Sequence, residues 1–240
     1  METPKQNGVF DINKIGTIGY KDTQKKILSF DLGLISYNKA YDLQLKFFEL
    51  IKSNNNPGVI LLLEHYPVIT TGSNRNIGNL LASREKLKNQ NIELVQSDRG
   101  GDITLHSPGQ AVCYTVLNLS RIKKDLTFFV HNLEQIIIEV LARYNIQGTR
   151  LTGRRGIFVN NFKIASIGLK IKKWVTYHGF SLNVNNNLKY YDNIIACGLK
   201  DNPQTSMKKI LNRTISIHDV KEQIMRSFEN TFKIPISKIT

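Results

Sequence analysis

Apolar residues recur at intervals of three and four along several stretches of this chain. Ala40, Leu43, Phe47, Leu50 and Ile51 fall on one face of a helix that Ser36 can cap. Asn54-Asn55-Asn56-Pro57-Gly58 carries turn chemistry that ends it, and Val59 to Leu63 follows as a short apolar run, the pattern of a buried strand. A stronger helical pattern joins Phe129, Leu133, Ile136, Ile137, Val140, Leu141 and Tyr144, which predicts a helix from about Thr127 to Tyr144 with Gly148 as its stop. Ile157 to Val159 and Phe162 to Leu169 flank Asn160-Asn161, the signature of a tight hairpin turn. Trp174 to Val184 is rich in β-formers and reads as a further strand, and Ser216 can cap a last helix carrying Ile217, Val220, Ile224 and Phe228. The sum is an α+β domain: an antiparallel or mixed sheet with helices packed on a face.

The length, 240 residues, suits one domain and can bury a core without disulfide or metal staples. Residues 1 to about 30 lack clear periodicity and are expected to form a loosely attached N-terminal extension to a single domain over 31–240. No repeat, low-complexity tract or proline-rich linker interrupts the chain. No apolar run reaches the roughly 20 residues needed to span a bilayer. Met1 to Asp11 mixes both signs of charge without an apolar segment, unlike a secretory signal. The two cysteines, Cys113 and Cys197, form no disulfide framework, are too few for a structural zinc site, and fit the reducing cytoplasm.

Lys and Arg number 33 against 19 Asp and Glu, a net charge of +14. Such a surface attracts nucleic acid, anionic membranes or acidic proteins. The abundance of Lys, Asn and Ile is also what A- and T-biased codons produce. No helix-turn-helix, ribonucleoprotein or zinc-finger spacing is present, so neither nucleic acid nor membrane is an expected partner.

Four segments carry candidate chemistry. In Arg99-Gly100-Gly101-Asp102-Ile103-Thr104-Leu105-His106-Ser107-Pro108-Gly109-Gln110, adjacent glycines let the backbone approach a ligand, and Arg99 and His106 can bind an anion or a carbonyl oxygen. In Lys163-Ile164-Ala165-Ser166-Ile167-Gly168, strand alternation sends Lys163 and Ala165 to one side and Ile164 and Ser166 to the other, with small residues leaving room for a ligand. In Thr176-Tyr177-His178-Gly179-Phe180-Ser181-Leu182-Asn183-Val184, a glycine inside a strand marks close approach; by residue type alone His178 reads first as a satisfied core histidine. Ala196-Cys197-Gly198-Leu199 puts a cysteine ahead of a polar loop, either an exposed nucleophile or a buried small hydrophobe. Cys113 sits in the apolar stretch Ala111 to Val116 and is expected to be buried. No nucleophile elbow, phosphate loop, dinucleotide fingerprint or metal-spaced His pair is present. A cysteine with candidate Lys and His partners is what remains, and a neighbouring cation lowers a thiol's pKa and activates it toward acyl groups.

Taken in order, the four segments resemble the lipoyl(octanoyl) transferases, whose pattern runs Arg-Gly-Gly-x-x-Thr-x-His-Gly-Pro-Gly-Gln, Lys-Ile-Ala-x-Ile-Gly, Thr-x-His-Gly-x-x-Leu-Asn and Pro-Cys-Gly followed by Thr-Ser. Glu64-His65-Tyr66-Pro67-Val68 resembles an upstream Glu-His-x-Pro-Val, and the likeness runs from about Leu34 to Met207. The resemblance implies a biotin/lipoate protein ligase-like fold and an acyltransferase of lipoate biosynthesis. Such an enzyme moves octanoyl from acyl carrier protein to a lysine of lipoyl domains, in dehydrogenase complexes or the glycine cleavage H protein, through a cysteine thioester. It implies Cys197 as the acylated residue and Lys163 as its partner. It implies Arg99, Gly100, Gly101, Asp102, Ile103, Thr104, Leu105, His106, Ser166, Ile167, Gly168, Gly179, Phe180 and Ser181 as binding residues, His178 as an additional one, and no cofactor or metal. Ser107 stands at a family glycine, where a positive φ would be strained, Ala196 at a proline, and Ile157-Phe158 at a common Val-Trp. Two alternatives are an ATP-dependent lipoate–protein ligase on the same fold, which would carry a Gly-Gly-Gly-Ala-Val-x-His-Asp loop absent here, and a non-catalytic basic binding module.

Overall fold

The computed structural model describes residues 26–54, 56–74, 76–196 and 203–239. An eight-stranded mixed sheet forms its centre, built from β1 (Ile27–Ile35), β2 (Gly58–His65), β6 (Gln110–Leu117), β7 (Thr149–Leu151), β8 (Arg154–Val159), β9 (Phe162–Lys172), β10 (Val175–Asn183) and β11 (Ile236–Ile239). Their spatial order is β11-β1-β2-β6-β10-β9-β8-β7. β1 runs parallel to both β2 and β11, and the remaining neighbours are antiparallel. A smaller sheet of β4 (Glu93–Gln96), β3 (Val68–Thr71) and β5 (Ile103–His106) stands beside it.

Helices cover both faces of the large sheet, not the single face expected. Strand alternation explains why. On β2 and β6, Ile60, Leu62, Ala111, Cys113 and Leu117 point one way, to a core shared with α4 (Leu126–Ala142) and α6 (Ile217–Phe232). Val59, Leu61, Leu63, Val112, Tyr114 and Val116 point the other way, to a core with α1 (Tyr37–Asn54). Every residue of β6 is buried, the near-continuous apolar reading of a strand covered twice. Besides the short helices α2 (Arg84–Asn89), α3 (Leu119–Ile122) and α5 (Met207–Leu211), the three patterned helices form as their spacing predicts. Phe129, Leu133, Ile136, Ile137, Val140 and Leu141 are all buried on α4. Asp125 caps α4 by accepting the Phe128 N–H, and Ser216 caps α6 by accepting the Asp219 N–H.

Three details depart from the sequence reading. α4 ends at Ala142 and Asn145 takes the left-handed conformation after it, so Gly148 is not its stop. A Cβ at Gly148 would meet Leu141 Cδ1 at 2.8 Å, a packing restriction. The β8–β9 turn does use Asn160 and Asn161, both with positive φ, but the β9–β10 turn uses Lys173 and Trp174 in the same conformation, so Trp174 belongs to the turn. Ile27 to Phe30, at the end of the stretch expected as an extension, are buried strand residues of β1. No helix among the described residues is long and apolar enough to cross a membrane.

Candidate active site

Where β5 and the Arg99–Asp102 loop meet the middle of β9 and β10, a cavity of about 200 Å³ opens. Arg99, Gly100, Gly101, Asp102, Thr104, His106, Ser166, Ile167, Gly168, Gly179, Phe180 and Ser181 all line it, as does His178. Ile103 and Leu105 do not. On a strand with period two they face away from Thr104 and His106, into a small core with Ile69, Leu87 and Ile194. Tyr37, Tyr114, Gly153, Arg154 and Arg155 complete the wall and were not singled out from the sequence. Arg154 and Arg155 are exposed at its rim, and nothing in their local pattern separates them from ordinary surface arginines.

Lys163 reaches this cavity through a β-bulge. Ile157 pairs with Ala165 but the next residue, Phe158, pairs with Lys163, leaving Ile164 as the extra residue. Ile164 and Ala165 therefore both enter the α4–α6 core, while Lys163 joins the cavity wall with Ser166 and Gly168. The sequence reading put Lys163 on the same side as Ala165 by plain alternation; the bulge separates them, leaving Ala165 in the core and Lys163 on the cavity. Lys163 is buried, its Nζ 5.8 Å from the Phe158 ring centroid. Its backbone N–H donates to Pro203 O (3.0 Å) and its carbonyl accepts from Thr205 N (2.9 Å). Cys197 lies outside the described residues. On its N-terminal side Ala196 is buried in the small core and Ile195 N donates to Asn79 O.

The loop is held by its own polar groups. Arg99 donates from Nη2 to Thr70 O (2.6 Å), from Nε to Thr70 Oγ1 (3.1 Å) and from Nη1 to Gly100 O (3.3 Å), so its guanidinium braces β3 against the loop. Asp102 accepts from Asn76 N (2.9 Å) and from Asn79 Nδ2. Gly100 N donates to Leu169 O (2.8 Å), while the Gly101 N–H meets no acceptor among the described residues. Ser107 avoids positive φ, which falls to Gly109 instead. A Cβ at Gly179 would lie 2.1 Å from Cys113 O, so the close approach marked by that glycine is to β6.

His178 is more than a core histidine. It takes φ 60° inside β10, its N–H donates to Gln44 Oε1 (2.7 Å), and its Nε2 meets Asp98 Oδ1 at 2.9 Å. Its Nδ1 is buried without a partner among the described residues. Burial lowers its pKa, and Asp98 opposes that only in part. Burial acts upward on Asp98, but hydrogen bonds from His178 and Tyr177 outweigh it and hold the carboxylate well below its usual range. Tyr41, stacked on His178 at 5.5 Å, is pushed up to about 12 by burial and by Asp98. His65 bridges Ile35 O (2.9 Å) and the Tyr114 hydroxyl (2.7 Å), and burial lowers it to about 4. Cys113 is fully buried and burial raises its pKa, as expected of an inert thiol. Among the described residues no group of three or more His, Cys, Asp or Glu is arranged to hold a metal.

Known proteins share both the sequence and the architecture. The family model described as lipoyl protein ligase A/B catalytic domain matches residues 36–229. An octanoyltransferase of Caldanaerobacter subterraneus is 39% identical over 209 residues, covering 87% of this chain and 91% of that protein. One from Nitratidesulfovibrio vulgaris is 39% identical over 210 residues, covering 87% and 96%. Among solved structures, lipoate-protein ligase A bound with ATP superposes with TM-score 0.68 at 13% identity, over 90% of each chain. A bipartite lipoate protein ligase from Thermoplasma acidophilum gives 0.68 at 14% identity, over 91% of this chain and 88% of that one. These two likenesses show the fold.

Proposed function

We infer that this chain, which belongs to the octanoyltransferase family, carries an octanoyl group from acyl carrier protein to a lysine amine of a lipoyl domain by way of a thioester on Cys197. One observation carries the reading. A buried lysine, Lys163, stands on the cavity wall and hydrogen-bonds through its own backbone to Pro203 and Thr205, the residues that follow the cysteine segment.

The Cys197 thiolate attacks the carbonyl of the carrier-bound thioester, and the carrier thiol departs. Lys163 takes the cysteine's proton, stabilises the thiolate as an ammonium, gives that proton to the departing carrier thiolate, and as the neutral amine takes one from the acceptor amine in the second half-reaction. Gly101 N–H, on the cavity wall and without an acceptor among the described residues, is the backbone donor suited to the oxyanion; Gly100 N–H is engaged by Leu169. The acceptor amine then attacks the acyl-enzyme. Thioester to amide runs downhill, so no nucleotide enters, and no metal or cofactor is needed. Arg99 supports the loop and adds positive charge near the developing oxyanion. The net charge of +14 and the rim arginines Arg154 and Arg155 favour encounter with acidic carrier and lipoyl domains. The reducing cytoplasm keeps Cys197 as a thiol.

The test is intact mass after incubation with octanoyl-carrier protein in the absence of nucleotide. A hydroxylamine-labile octanoyl adduct on the wild type, lost in Cys197→Ala, is expected. Acyl transfer that requires ATP, as for a ligase, or binding of carrier with no adduct, as for a non-catalytic module, would overturn the reading.

A further inference from the structure

A chain of side-chain amides decides the protonation of His106. Asn183 Nδ2 donates to the backbone carbonyl of Thr205 (3.0 Å), so Asn183 Oδ1 is an acceptor. Gln110 Nε2 donates to that oxygen (2.8 Å) and to the backbone carbonyl of Leu105 (3.3 Å). Both contacts turn Gln110 Oε1 toward His106 Nδ1, at 2.7 Å. An amide oxygen only accepts, so Nδ1 carries the proton and Nε2 is a bare lone pair. Nε2 has no partner among the described residues and is not sealed from the cavity that His106 lines. The ring is held between Tyr37, stacked at 6.4 Å, and His65 at 5.6 Å. Burial, and next the charge of His65, lower His106 to about 3, with Arg99 and His178 acting the same way. The imidazole is neutral at any physiological pH.

We propose that His106 receives the attacking amine of the acyl acceptor, its bare Nε2 accepting one N–H and so turning the nitrogen lone pair toward the acyl carbonyl. This rests on the acyl-enzyme reading above. A lone pair repels a carbonyl oxygen or an oxyanion, so His106 does not bind the group that the sequence reading gave it. A thiol is a weak donor and a thiolate is none; of the reacting groups only the amine brings a good N–H. Arg99 and Lys163 line the same cavity and disfavour an ammonium there, which leaves the amine neutral and nucleophilic. In the step itself the N–C bond forms as the C–S bond breaks. The amine gives up one proton, the departing sulfur takes one up, and His106 stays neutral throughout. The network also starts at Thr205, whose N–H bonds Lys163 O, so one set of contacts positions both the lysine and this acceptor.

Nitrogen NMR of the full chain carrying 15N-labelled histidine, at pH 7, reads the tautomer directly. Protonated Nδ1 with bare Nε2 is expected; an Nε2–H tautomer or an imidazolium overturns the proposal. Single-turnover kinetics then separate the two half-reactions. His106→Leu is expected to slow amide formation about tenfold more than it slows thioester formation, the worth of one hydrogen bond. His106→Gln, which keeps a donor for Gln110 and an acceptor toward the cavity, recovers most of that loss. If the Leu variant does not fold, His106→Ala with added imidazole makes the same comparison. Equal slowing of both half-reactions, or no slowing of the second, overturns the proposal. Failure of the wild type to form any thioester would instead overturn the acyl-enzyme reading and with it the amine assignment, while the NMR result still judges the tautomer.

Discussion

Gly156 and Lys163 are fitted to each other across neighbouring strands. A Cβ at position 156 would lie 2.9 Å from Lys163 Cε and 2.3 Å from Ala165 O, and Gly156 holds φ at 108°. The absent side chain is therefore what lets the bulged strand close up and lets the lysine cross toward the cavity. Gly156→Ala is expected to cost about 1–3 kcal/mol in backbone strain and to displace the ammonium. Thermal unfolding measures the first effect and the rate of Cys197 octanoylation the second. Unchanged acylation in a destabilised variant would mean that Gly156 serves the fold alone.

Lys163→Met should slow self-acylation strongly at neutral pH, with partial recovery as pH rises. An unassisted cysteine titrates near pH ~8.5, so only a few per cent is thiolate at pH ~7. Alkali restores the thiolate but not the proton shuttle, so recovery stays incomplete. Rates of thioester formation against pH for both proteins decide it, and coincident profiles would remove Lys163 from the mechanism.

Cys113→Ser should leave acyl transfer intact while lowering stability by about 1–3 kcal/mol, because it places a hydroxyl in an apolar core without a partner. Loss of transfer from a folded Cys113→Ser protein would show a second essential thiol.

His65 makes the fold acid-sensitive. Its pKa falls from an unfolded value near ~6.5 to about 4 in the folded protein, through burial. The unfolded chain thus binds the extra proton first. The stability from a neutral His65 is fully present above pH ~6.5 and is lost as pH falls toward 4, on the order of 3 kcal/mol. His65→Gln should flatten the dependence of Tm on pH between those limits. An equally steep wild-type and variant slope would assign the acid sensitivity elsewhere.

Arg154 and Arg155 stand exposed at the cavity rim. Charge reversal at both should raise KM for acyl carrier protein and weaken its dependence on salt, with little change for a small octanoyl thioester. Parallel effects on both donors would place their role inside the cavity.

What could be read from the residues alone was what local rules decide. The three-and-four spacing of Phe129 to Leu141 makes a helix wherever it packs, and Asn160-Asn161 makes a hairpin turn because both tolerate positive φ. The four motifs in order singled out Lys163 and most of the residues that line the cavity. The face of a strand on which a residue lies was less secure. Alternation would have removed Ile103 and Leu105 from the binding set, since Thr104 and His106 take the other side. It fails at Lys163, because the extra residue Ile164 resets the period, and a bulge depends on what β8 offers opposite. Long-range partners were beyond reach of the sequence for the same reason. Asp98 meets His178 across 80 positions and Gln110 meets Asn183 across 73. Nothing near any of these residues encodes the meeting. The sequence determined which chemical groups the protein carries; only the packing of β5, β9 and β10 around one cavity decided which of their atoms are buried, which are paired, and which lone pair of His106 is left to face a substrate.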